Sequence, residues 1–237
     1  RVIPGILSPC PWNFNRICIK TAFTVHNGSI SQWTVIFMRK LMKLLLFGAA
    51  ILGVLWVVDV KLDRDTLNEG LIRMHIVANS DAQEDQDLKL QVRDAVTAYL
   101  TPILENMPSR EEAEAYLREH LEDLKAIAQQ VLSGTDQQVT VKLEKEAFPK
   151  REYDTFTLPA GTYEALRFEI GAGEGRNWWC VVFPQLCLPA TAAEFDAQAA
   201  GAGFSDTLTG AVEGEYPIRF FLLDCLGKLE NWLGSRG

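Results

Sequence analysis

One stretch constrains this chain more than any other: Asn177-Trp-Trp-Cys-Val-Val-Phe-Pro-Gln-Leu-Cys187. Val181, Val182 and Phe183 favour a strand. Pro184 has no amide proton for a ladder, so the strand ends there or lies at a sheet edge. Trp178 and Trp179 are adjacent and must point to opposite faces of that strand. At most one of them fills a core easily; the other covers an edge or offers a contact surface. Cys180 and Cys187 would also lie on opposite faces of a straight strand, but a turn at Pro184-Gln185 brings them within reach of each other. Whether they bridge depends on the redox compartment.

The start of the chain bears on that compartment. Met38-Arg-Lys-Leu-Met-Lys43 is a basic segment, and the uncharged apolar run Leu44–Val58 follows it. This is the pattern of an export signal or a short membrane anchor over residues 38–60, with residues 41–58 in the membrane; a buried core helix is the alternative and explains the basic flank less well. Arg39, Lys40 and Lys43 stay inside, which sends residues 62–237 out. Residues 1–37 show no sustained periodicity and read as upstream sequence joined by a misassigned start, or as a disordered arm. Outside the membrane, Cys180 and Cys187 are expected to be oxidised to a disulfide. A loop that short adds about 2–3 kcal/mol by the chain-entropy model.

Charge divides the same way. Residues 1–61 carry seven Lys/Arg against one acid, a surplus of +6. Residues 62–237 carry sixteen against thirty, a deficit of −14, and the chain stands at −8. A body that acidic is poorly suited to nucleic acid or to an anionic membrane surface.

The body reads as an α+β domain over 62–189. Leu71–Asp81 alternates as a strand, with Ile72, Met74, Ile76 and Ala78 on one face and Arg73, His75, Val77 and Asn79 on the other. Ser80 with Gln83, or Asp81 with Glu84, is placed to cap a helix. Leu88, Val92, Ala95, Val96, Tyr99, Leu100 and Ile103 make one helical face, which Pro102 kinks or ends. Ser109-x-x-Glu112 caps a second helix, with Ala113, Leu117, Leu121, Leu124, Ala128 and Val131 as its stripe and Gly134 as its stop. Together they suggest a helical hairpin. An antiparallel sheet follows, from Val139-Thr-Val-Lys-Leu143, the turn Leu158-Pro-Ala-Gly161, and Tyr163–Ile170. Gly171-Ala-Gly-Glu-Gly-Arg176 looks like a phosphate loop, but a strand rather than a helix follows it, so it reads as a hairpin connection. Residues 190–216 read as a mobile Ala/Gly-rich loop. Residues 217–234 read as an amphipathic helix with the stripe Ile218, Phe221, Leu222, Cys225, Leu229, Trp232 and Leu233, which packs on the sheet or, alternatively, docks into a partner groove. On that stripe Cys225 is expected to be a buried thiol.

No cofactor is indicated. His75 with His120, Asp81 and Glu84 offers nitrogen and oxygen ligands, but no His-x-x-x-His or HExxH spacing supports a metal. The residues leave three functions open: a contact protein, an exported hydrolase using Cys180 or Ser80 with His75, or a structural envelope protein.

Four motifs in order resemble one family. They are Arg73-Met-His-Ile-Val-Ala-Asn-Ser-Asp81, Leu88-Lys-Leu-Gln-Val-Arg-Asp94, Leu158-Pro-Ala-Gly161 and Asn177-Trp-Trp-Cys with Cys187. Together with the final helix, they are similar to stage II sporulation protein R of endospore-forming bacteria. That resemblance implies a non-catalytic signal, made in the forespore and exported into the space between the forespore and mother-cell membranes. There it would activate a membrane-embedded aspartic protease that processes the sigma-E precursor. No nucleic acid or small-molecule substrate is expected. Arg73, His75, Asn79, Asp81, Trp178 and Trp179 would then lie near the partner-binding surface. The native protein is expected to begin at or after Met38; an N-terminal mass that includes earlier residues would refute the misassigned start.

Overall fold

The computed structural model describes residues 32–184, 199–201 and 203–235. The chain divides into two compact units, Arg1–Val54 and Leu55–Gly237. In the first, the described residues form only helix, with Leu44, Leu45, Leu46 and Phe47 exposed. That helix, α1 (Gln32–Gly70), continues through Leu55 and is long and apolar enough to cross a membrane. Val60, Arg64 and Leu67, on its last turns, are buried in the second unit.

The second unit is α+β, as expected. Its elements are β1 (Ile72–Val77), α2 (Gln83–Leu104), α3 (Arg110–Glu119), α4 (Leu121–Val131), β2 (Val139–Phe148), the short pair β3 (Arg151–Glu152) and β4 (Thr157–Leu158), β5 (Gly161–Ile170), β6 (Asn177–Phe183), α5 (Asp206–Glu213) and α6 (Pro217–Gly234). The main sheet has the order β2-β5-β1-β6. β2 and β6 run antiparallel to their neighbours, whereas the central pair β1 and β5 is parallel. The sheet is therefore mixed, because α2, α3 and α4 separate β1 from β2 and β5 and allow a crossover. β1 is buried along its whole length, as a central strand covered on both faces must be.

Each face has its own core. Ile72, Met74 and Ile76 join Leu166, Phe168 and Cys180 under Val92, Val96, Leu117, Leu124 and Ala128 of the helices. On the other face Tyr163, Ala165 and Val181 pack with Val60, Leu67, Phe148, Leu208, Ala211 and Leu223.

Several local expectations change. α2 has Ala82 at its N-cap with no side-chain cap; Ser80 Oγ instead accepts from Ala82 N at 3.1 Å. Ser109 does cap its helix, accepting from Glu112 N at 3.3 Å. The single helix read after Ser109 is broken at His120, whose backbone leaves the helical region and whose ring stacks on Tyr116. The glycine segment 171–176 does not join neighbouring strands, since β1 lies between β5 and β6. Within the expected mobile loop 190–216, α5 forms, capped by Ser205 and buried through Leu208, Ala211 and Val212. Cys187 lies outside the described residues; Cys180 is buried on β6.

The largest correction concerns α6. It packs through Leu223, Asp224 and Gly227, with Leu222 and Leu226 half-buried. Ile218, Phe221, Leu229, Trp232 and Leu233 are exposed, and so is Cys225. Gly227 explains the choice of face. A β-carbon there would stand 1.6 Å from Ala160 O, so the helix rests directly on the backbone of the Leu158–Gly161 turn. Gly227→Ala is expected to cost about 2–3 kcal/mol through this backbone overlap, read as a lower denaturant midpoint. Gly134→Ala, which meets nothing within 4 Å, is the neutral control. Equal midpoints for both variants would refute the packing argument.

Candidate partner-binding surface

β1 and the turn after it carry the motif Arg73–Asp81, and the structure splits that motif in two. The odd residues of the strand point to the face covered by α1, α5 and α6; the turn residues bind the glycine segment.

Arg73 is 0% exposed. Its guanidinium lies over the Phe148 ring at 4.1 Å and the Tyr163 ring at 5.0 Å, and Nη2 donates to Tyr153 Oη at 2.8 Å. His75 is 5% exposed. Its Nδ1 lies 2.9 Å from the Glu146 carboxylate and its Nε2 lies 2.9 Å from Asn177 Oδ1. The ring stacks on Trp179 with centroids 5.3 Å apart. Burial opposes the charge on Glu146, but His75 and Arg167, the latter at 2.6 Å, outweigh it and hold the carboxyl below its ordinary pKa. Arg167 also reaches Glu169 at 2.9 Å, so a ladder of charge crosses from β2 to β5.

The turn is a latch. Asp85 accepts from Ser80 Oγ at 2.5 Å, Gln137 Nε2 at 2.6 Å and Asn79 Nδ2 at 2.8 Å. Asn79 Oδ1 accepts from Ala172 N, Ala78 O accepts from Gly175 N, and Asp81 Oδ1 accepts from Arg176 N. The buried Lys89 donates to Arg176 O at 2.9 Å and Gln86 Oε1 at 2.6 Å; burial lowers its pKa. The segment 171–176 must bridge two strand spacings, about 9.5 Å, across the end of β1. It therefore lies close on the turn. A β-carbon on Gly175 would stand 2.3 Å from Ser80 O, which is why glycine is needed there. This closeness, rather than phosphate binding, accounts for the glycine string.

Of the six residues expected at the surface, Arg73 and His75 are inside and brace the sheet. Asp81 is exposed, and Asn79, Trp178 and Trp179 are half-buried. The tryptophans do face opposite sides of edge strand β6. Arg93 lies 5.4 Å from the Trp178 ring, and Arg151 lies 3.5 Å from the Trp179 ring. His75 and His120 are not brought together, and His120 Nδ1 is held by Tyr116 O at 2.8 Å. Among the described residues no group of acidic, His and Cys side chains is arranged to hold a metal. Asp85, Gln137, Glu146 and Arg151 complete these networks, and no spacing in the sequence marked them; Lys89 lay in the Leu88–Asp94 motif, which assigned it no role.

The family model for stage II sporulation protein R matches residues 68–193, just over half the chain. The chain belongs to the stage II sporulation protein R family. Stage II sporulation protein R of Bacillus subtilis (strain 168) is 43% identical over 118 residues, which is 49% of this chain and 53% of the relative. The chain thus spans about half the length of the curated relative it matches. No solved structure matches. The family match covers β1–β6 with the latch, and it ends before α5 and α6.

Three donors hold the Asp85 pKa below its ordinary value. A carboxyl depressed on folding adds stability above its unfolded pKa and loses it as pH falls through the folded value. Wild-type stability should therefore decline in acid, below about pH 4. Asp85→Asn is expected to lower stability at pH 7 by about 1–3 kcal/mol and to flatten that acid decline. An unchanged acid slope in urea unfolding at several pH values would show that the latch does not depend on the charge.

Proposed function

We propose that this chain is an exported sporulation signal that acts by contact. It is secreted from the forespore into the intermembrane space and activates the membrane-embedded aspartic protease that processes the sigma-E precursor. Residues 41–58 serve as signal or anchor, and residues 62–189 with α5 and α6 form the exported domain. The bridge between Cys180 and Cys187 belongs to this reading, since the intermembrane space is outside the reducing cytoplasm.

The observation that carries the reading is the state of the family motif. His75, the one base that a hydrolase reading of the motif would use, is held between Glu146 and Asn177 and packed beneath Trp179. Ser80 gives its hydroxyl to Asp85 rather than to His75. The motif thus builds a hydrogen-bonded turn, and what it leaves at the surface is the exposed Asp81 with the half-buried Trp178 and Trp179, polar and aromatic groups suited to a partner. No cofactor enters this reading.

The test is reconstitution in a non-sporulating host that makes the protease and its sigma precursor. Adding the full chain is expected to produce precursor cleavage on a gel, and omitting it to abolish cleavage. No cleavage with the exported domain folded and present would overturn the activator reading and return the hydrolase and envelope readings to the front.

A further inference from the structure

Two described arginines of the second unit have no carboxylate partner, Arg73 and Arg151; every other one pairs with an Asp or Glu. Carboxylates are not scarce, since residues 62–237 carry thirty acids against sixteen Lys/Arg. The two unmatched arginines are also neighbours. Burial lowers the Arg151 pKa, and the nearby charge on Arg73 adds to that effect. Each guanidinium lies over a ring, Arg73 on Phe148 at 4.1 Å and Arg151 on Trp179 at 3.5 Å.

Their donors are idle. Arg73 Nη2 donates to Tyr153 Oη at 2.8 Å, but Arg73 Nε and Nη1 and Arg151 Nε are buried with no hydrogen-bond partner. Arg73 is 0% exposed and Arg151 is half-buried, so an incoming group meets Arg151 first. Ring faces and one phenol offset only part of the burden of burying a full charge beside a like one. An oxyanion answers both needs, because it carries the missing negative charge and several acceptor lone pairs.

We propose that Arg73 and Arg151 form a receptor for one oxyanion, a carboxylate or phosphate group, at the base of the β3–β4 ribbon. Arg151 donates to it from the solvent side. Tyr153 Oη accepts from Arg73 and keeps its own proton to donate. Arg73 supplies a second charge from behind, held in place by Phe148 and Tyr163. A cation is repelled by the same pair of charges.

The test titrates the isotope-labelled full chain, in uncharged detergent, with sodium acetate or with inorganic phosphate. Sodium chloride at equal ionic strength is the reference. The Trp179 indole N–H signal is the reporter, since Arg151 lies on that ring. It is expected to shift saturably with a Kd below about 10 mM. Saturation by acetate assigns a carboxylate, and saturation by phosphate alone assigns a phosphate group. Arg151→Gln is expected to weaken the binding roughly tenfold through the loss of a charge-assisted hydrogen bond. Its unfolding midpoint should hold, because the buried Nε has no partner to lose. Arg93→Gln removes the arginine near Trp178, which Asp94 already neutralises, and is expected to change nothing. No saturation by either oxyanion up to about 100 mM would overturn the proposal. So would an equal response to chloride, or undiminished binding by Arg151→Gln.

Discussion

The structure depends on where β1 lies. It is hydrogen-bonded on both sides, parallel to β5 and antiparallel to β6, and both of its faces are covered. A strand in that position has no solvent side for its polar residues, so Arg73 and His75 must find their partners inside, and Nε and Nη1 of Arg73 are buried without a hydrogen-bond partner. Arg73 is accommodated by the Phe148 and Tyr163 rings and one phenol, and His75 by a carboxylate, an amide and an indole. The same placement forces the link from β5 to β6 to pass over the end of β1. That crossing brings the glycine segment onto Asn79, Ser80 and Asp81. Motif, glycines and tryptophans are separate in sequence but form one assembly around a single strand.

A second dependence runs through α1. Arg64, buried at its C-terminal end, donates to Tyr163 Oη at 3.1 Å and to Glu230 of α6. Asp59 and Asp63 hold Arg219. The last turns of the apolar helix are thus part of the folded body, and α6 is attached through them. The helix that qualifies as a signal or anchor and the helix with the outward apolar seam are joined by ion pairs.

The sequence was informative about elements and weak about partners. Period-2 and period-3.6 patterns located β1, β5, α2 and the stripes of α3 and α4, because burial on one face leaves a local periodic trace. The opposite orientation of Trp178 and Trp179 followed from the pleat alone. The latch was partly legible: Asn79, Ser80 and Asp81 stood out, and Lys89 lay in the quoted Leu88–Asp94 motif without a role, while Asp85 and Gln137 did not stand out. A buried carboxylate with three donors has the same letter as a solvated one, and its donors come from positions as distant as Gln137.

By itself, the sequence determined the apolar helix, the acidic body, the α+β composition and the resemblance that family membership bears out. These are local or compositional properties, set by hydrophobic period, charge and motif order. Only tertiary structure decided that the central strand pair is parallel, that Arg73 and His75 are internal, and that α6 shows its apolar seam to the outside with Cys225 on it. Each of those turns on which surface an element meets. For α6 the hydrophobic pattern named one face, but the close seat of Gly227 on a backbone carbonyl and the bonds of Asp224, Glu230 and Asn231 selected the other. A periodic pattern reports which side of a helix avoids water, not whether its own domain or a partner supplies the cover.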